Sequence, residues 1–260
     1  MIVFPALLAL KTVLHSEYAH LLPKGATIIE VQPIPATARK NRALVLWMNV
    51  TSTDCPAGWE EDWTKICPES TRGCAYSGMT KVSLMDTAEA RVINTLDVWG
   101  SHDAMATIGV SPSHGAKDSL DIPYRLGRGG PYYVEAPFGK PKIMLLKDYN
   151  GDGEALEFAL FSAWTCSDLL TTLIGYSRRN DKVIQYPVRL SWIEPNEKPV
   201  VVSVYWVEHL FSSKPQRPGY WKYRSIYPPG VYEEYEIRYL PDREAFEGTC
   251  HVWEAPPPSH

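Results

Sequence analysis

No run of Lys or Arg interrupts this sequence, and no apolar stretch reaches the roughly 18 residues that a membrane helix requires. The 26 basic and 30 acidic residues are spread along the chain and leave a formal charge of −4, so nucleic acid is an unsuitable partner and no membrane span is expected. Signatures of the large enzyme classes are missing as well. There is no Gly-x-Ser-x-Gly elbow, no His-Glu-x-x-His, no Walker loop and no dinucleotide fingerprint. Phenylalanine is scarce, at 6 residues against 9 Trp and 15 Tyr, so most aromatic rings carry a polar edge. That mixture suits half-buried sheet faces and binding surfaces alike.

Cysteine is sparse and odd in number: Cys55, Cys67, Cys74, Cys166 and Cys250. The spacings among the first three lack the close pairs that zinc sites use. Two uses remain open. A local disulfide pinning the 53–78 loop implies an oxidising compartment, whereas buried reduced thiols pack as small hydrophobes. The first of these leans the expected location towards extracellular or periplasmic. The apolar start, with Ile2, Val3, Phe4, Leu7, Leu8 and Leu10, has no preceding basic residue and contains Pro5, a poor match to a secretory signal. A first strand or helix packing into the core explains these residues equally well.

What the chain does contain is strand signal. Segments rich in Val, Ile, Thr and Tyr recur between turn residues, while helical periodicity longer than two turns is scarce. Strands are expected near 27–31, 43–48, 81–86, 91–98, 142–147, 157–161, 171–177, 182–190, 200–207, 220–226, 232–239 and 246–252. Two tight hairpins are expected, turning at 87–90 and at 179–181. The implied fold is mostly β, an antiparallel β-sandwich or barrel with long loops and few short helices. We read residues 1–260 as a single β-rich domain, with a loop-rich insertion at 100–139, a subdivision conceivable near 140 and an extended Pro-rich tail at 255–260. No repeat of roughly 40 to 60 residues is present, which argues against a propeller.

One segment is chemically specific. Asp148-Tyr149-Asn150-Gly151-Asp152-Gly153-Glu154 places side-chain oxygens at positions 1, 3 and 5 and a glycine at position 6. This spacing wraps hard oxygen donors around one cation, and calcium is the natural occupant. Over about ten residues the segment resembles the calcium loops of FG-GAP/VCBS repeats and, more distantly, those of dockerins and EF-hands. It departs from them at Leu156, where an FG-GAP loop carries Asp, and at Ala159, where an EF-hand carries Glu. Glu157 can replace the missing carboxylate if the strand that follows starts with a bulge. The expected metal ligands are therefore Asp148, Asn150, Asp152, the Glu154 carbonyl and Glu157, with the ion structural in role. The competing reading is a plain Asx-rich turn.

For catalysis the nearest candidates are His102 with Asp103, and His114 beside Ser113, in the loop-rich insertion. The carboxylates Glu60, Glu61, Asp62, Glu233, Glu234 and Glu236 read better as solvated faces than as an acid–base pair. Trp59 and Trp63 in the Cys-rich stretch, and Tyr132 and Tyr133 after a Gly-Arg-Gly-Gly turn, form a candidate ligand face. The favoured expectation is a calcium-stabilised β-sandwich that binds a glycan or protein without chemistry of its own. The alternative is a secreted hydrolase acting on an extracellular polymer, with its site in the 100–139 loops.

Overall fold

The computed structural model describes residues 17–54, 75–98, 143–163, 169–204, 215–226 and 230–254. Within them the chain is mostly β. A four-stranded sheet A runs in the order β1 (Thr27–Pro33), β2 (Arg42–Asp54), β3 (Ala75–Asp86) and β4 (Arg91–Asp97). Sheet B holds β5 (Glu157–Ala163), β6 (Leu169–Ser177) and β7 (Lys182–Gln185). Sheet C runs in the order β10 (Tyr220–Ile226), β11 (Val231–Leu240), β12 (Ala245–Glu254), β8 (Val188–Ile193) and β9 (Val200–Val204). None of these sheets closes into a barrel. All neighbouring strands are antiparallel except β12 and β8, which run parallel, from Phe246 opposite Val188 to His251 opposite Ile193.

The sheets are layered, and the sequence of β2 shows why. Ala43 to Met48 are all buried, an unbroken apolar run of the kind found where a strand is covered on both faces. Leu44, Leu46 and Met48 face sheet B, packing with Val82, Leu84, Phe158, Leu160, Ile174 and Val183. Val45 and Trp47 point the other way, under Tyr18 and Leu22 from the short segment before β1. Each such side chain stabilises the fold by about 1.5–3 kcal/mol relative to exposure. The opposite face of sheet B offers Ala159 and Leu173 to sheet C, where they meet Val188, Leu190, Trp221, Ile237 and Phe246. Sheet B is therefore the middle layer.

The indole of Trp47 illustrates how a buried polar edge is satisfied: its Nε1 donates to Ser83 Oγ at 2.9 Å, and that hydroxyl also lies 2.8 Å from Thr95 Oγ1. Trp47→Phe keeps most of the packing and removes the donor. We expect a loss of about 1–2 kcal/mol in urea unfolding. An unchanged midpoint would show that this bond contributes nothing net.

Both expected hairpins form. At the β3–β4 turn the Asp86 carboxylate accepts the N–H groups of Ala88 and Glu89, each at 3.0 Å, and Ala90 adopts φ 47°. At the β6–β7 turn Ser177 Oγ accepts the Asn180 N–H at 3.1 Å, and Asp181 adopts φ 48°. Arg42 ties these two turns together. It donates to Asp86 Oδ2 at 2.7 Å and, through Nε and Nη2, to both oxygens of Asp181 at 3.0 and 2.8 Å. The paired guanidinium holds the Asp181 carboxyl down to about 2. Nearby, the Asn94 side-chain amide bonds both the N–H and the C=O of Val183, joining β4 to β7.

Two expected strands are corrected. The segment 182–190 is two strands rather than one, broken at Tyr186–Pro187, because proline has no N–H for the ladder. There the chain crosses from sheet B to sheet C: Tyr186 N–H still reaches Leu173 O at 2.9 Å, while Pro187 O already accepts from Phe246. Around 142–147 no strand forms among the described residues. The N–H groups of Ile143 and Met144 go to the Glu30 carboxylate instead, and only Lys147 bridges to Glu157. No helix among the described residues is long and apolar enough to cross a membrane.

Candidate functional site

The 148–157 loop links the Lys147 bridge to the start of β5, and its side chains organise its own backbone. Asp148 accepts the N–H of Gly151 at 2.7 Å and of Gly153 at 3.0 Å; Asn150 Oδ1 accepts that of Asp152, and Asp152 Oδ1 that of Glu154. Gly151 and Gly153 take φ of 81° and 89°, a region other residues rarely adopt. Gly151 is doubly constrained, since a Cβ there would lie 2.6 Å from the Pro218 carbonyl carbon. The loop is thus seated on the Pro218–Gly219 turn that leads into β10.

Glu157 lies beneath the loop and is fully buried. Its carboxylate accepts the Tyr149 N–H at 3.0 Å, Asn150 Nδ2 at 3.1 Å and the Tyr186 hydroxyl at 3.4 Å. Burial pushes this carboxyl up to about 8, against those donors, and the nearby charges of Asp152 and Asp148 add to the rise. The bulge expected at this point is absent: Glu157 pairs in regular register with Gly175. The side chain reaches the loop without it, because inward-facing positions at the start of β5 already point under residues 149 and 150.

Of the five expected ligands, Asn150, Asp152 and Glu157 are joined by side-chain hydrogen bonds, and Asp148 bonds the backbone of the same loop. Glu154 stands apart: its carboxylate pairs with Arg178 at 2.5 Å and its carbonyl accepts the Leu156 N–H at 3.1 Å. Among the described residues no three His, Cys, Asp or Glu side chains form a ready cage for a metal. Carboxylate oxygens have lone pairs beyond those used by the backbone, so these donors match a hard cation in kind.

Tyr186, Tyr239 and Gly219 are partners of this loop that the sequence did not disclose. Tyr239 on β11 shares a hydrogen bond with Asn150 and packs edge-on to Tyr186 at 6.1 Å. Only Pro218-Gly219 carried a local signal, as a turn dipeptide. His102, Asp103, His114, Trp59, Trp63, Tyr132 and Tyr133 lie outside the described residues, as do Cys55, Cys67, Cys74 and Cys166. Cys250 is a buried free thiol, pushed up to about 12 by its surroundings. On β11, Glu234 is paired with Arg224 and Lys222, and Glu233 bonds the Tyr235 hydroxyl. Comparison with family models, with curated proteins and with solved structures finds no match to the chain.

Proposed function

We propose that this protein is a calcium-stabilised β-sandwich module that binds a glycan or protein partner without chemistry of its own. The observation that supports the metal reading is the gathering of Asp148, Asn150 and Asp152 on one loop over the buried carboxyl of Glu157, whose proton affinity is raised chiefly by burial and further by the charges of the two aspartates. A bound cation offsets that repulsion and fixes the loop against β5, β10 and β11, so its role is structural. Asp148, Asn150, Asp152 and Glu157 are the residues that hold it. Layered sheets with half-buried Trp and Tyr on an outer face supply the ligand surface.

Thermal and urea unfolding with excess calcium, and then with chelator, tests the metal. We expect calcium at a hundredfold excess over its dissociation constant to stabilise the native state by about 2.7 kcal/mol, and Asp152→Ala to abolish the gain. Identical unfolding curves with calcium and with chelator would remove the metal from the proposal and leave the loop as a self-bonded turn.

A further inference from the structure

The face of sheet C turned away from sheet B presents one side chain per strand in cross-strand rows. Tyr220, Arg238, Glu247 and Arg189 form the first row; Lys222, Glu236, Thr249 and Ser191 form the second. Between them lies an open cleft of about 300 Å³, lined by Ser191, Tyr220, Glu236, Arg238, Glu247 and Thr249. Four residues further along β12 the same face carries Trp253, whose ring stacks on Tyr232 at 5.9 Å with only 8° between the planes. Arg224 lies 5.8 Å from the Trp253 ring and is held there by Glu234 at 2.6 Å. The aromatic pair is therefore fixed before any ligand arrives.

We infer that this face binds a neutral oligosaccharide, laid from the Tyr220–Thr249 cleft to the Tyr232–Trp253 platform. This rests on the reading of the protein as a binding module. Three properties select the ligand. The face sets Arg189, Lys222, Arg224 and Arg238 against Glu234, Glu236 and Glu247, with Arg224 and Lys222 already paired to Glu234, so neither polyanion nor polycation meets a field of one sign. Hydroxyl, carboxylate and guanidinium groups line the cleft, donors and acceptors together, as polyhydroxylated ligands require. The Tyr232–Trp253 pair, half-exposed and held by its own stack and by Arg224, offers apolar ring surface beside the cleft with little rotamer freedom to lose. The span from Thr249 to Trp253 is about 13 Å at the usual rise of a strand, which a single sugar does not cover.

The test titrates the calcium-loaded protein with neutral glucan, xylan and chitin oligomers, from monosaccharide to hexamer, followed by calorimetry and tryptophan fluorescence. We expect at least one series to bind, longer members more tightly than the monosaccharide. Trp253→Ala and, separately, the exposed Arg238→Ala should each weaken that binding about tenfold or more. The Arg238→Ala midpoint should stay near the parent's, so that folding is not the cause there, while Trp253→Ala also loses the stack on Tyr232 and is read beside it. Binding that survives both substitutions places the glycan elsewhere, overturning this site while the module reading stands. Absence of binding by every series, or salt-sensitive binding of acidic polymers alone, overturns the inference itself; the calcium-dependent unfolding shift is read separately and is untouched by either result.

Discussion

Arg42→Ala is expected to lower the unfolding free energy by about 3–5 kcal/mol, a large part of the stability of an ordinary domain. The arginine is buried and satisfies two carboxylates from two different turns, Asp86 at the end of β3 and Asp181 before β7. Removing it leaves those acids without their common cation and frees sheet A from sheet B at that corner. Arg42→Lys should fall between, because a single ammonium cannot reproduce the two parallel bonds to Asp181. Urea denaturation measures both. The pH dependence adds a signature: Asp181, held down to about 2 from an ordinary value of 3.8, contributes stability that is present above pH 3.8 and lost as pH falls through 2. That acid limb should shrink in Arg42→Ala. A loss of less than about 1 kcal/mol would mean the cluster behaves as an exposed ion pair.

Glu157 should produce the opposite trend. Its carboxyl is raised from 4.5 to about 8 in the folded state, so between those values the native chain keeps a proton that the unfolded chain has released. Stability then declines as pH rises from 4.5, by up to about 1.4 kcal/mol per pH unit, and levels off above 8. Glu157→Gln, isosteric and neutral, should flatten that decline in melts taken across the range. If the variant kept the parent's slope, some other group would be responsible. Calcium sharpens the experiment. On the proposed calcium reading, a cation that requires the ionised carboxylate displaces the proton, so binding is expected to tighten with pH through the same window, with saturating calcium restoring stability most at the alkaline end.

Most of the strands and both tight hairpins were legible in runs of Val, Ile, Thr and Tyr between turn residues. The unbroken apolar run in β2 marks a strand between two layers, and the polar turns at 87–90 and 179–181 fix two hairpins through Asp and Ser side chains that bond their own backbone. The break at Tyr186–Pro187 was also written locally, in the proline, but a continuous Val/Ile pattern on either side of it masked the change of sheet. What could not be read is non-local. Nothing in the residues near Glu157 indicates that Tyr186 and Tyr239 close over it, or that Pro218 and Gly219 lie against Asn150 and Gly151, since those contacts depend on how sheets B and C meet. The outer face of sheet C was hidden for the same reason. Tyr232, Glu234 and Glu236 alternate along β11, and Trp253 joins them on one surface only through the register of β11 with β12.

That register carries a consequence for the order of assembly. Strand β12, the last of the twelve among the described residues, occupies the centre of sheet C, between β11 and β8. Before it is made, β8 with β9 and β10 with β11 are two independent hairpins, each with an open edge and with Trp221, Ile237 and Leu190 lacking a shared core. During vectorial synthesis these hairpins emerge first and must wait for residues 245–254, whose pairing with 188–193 spans more than fifty residues and is slow to close. The waiting edges are candidates for chaperone capture or mispairing between nascent chains. A ribosome-arrested chain ending before residue 245 should therefore be cut by protease within sheet C, while sheet A, complete by residue 97, is already protected.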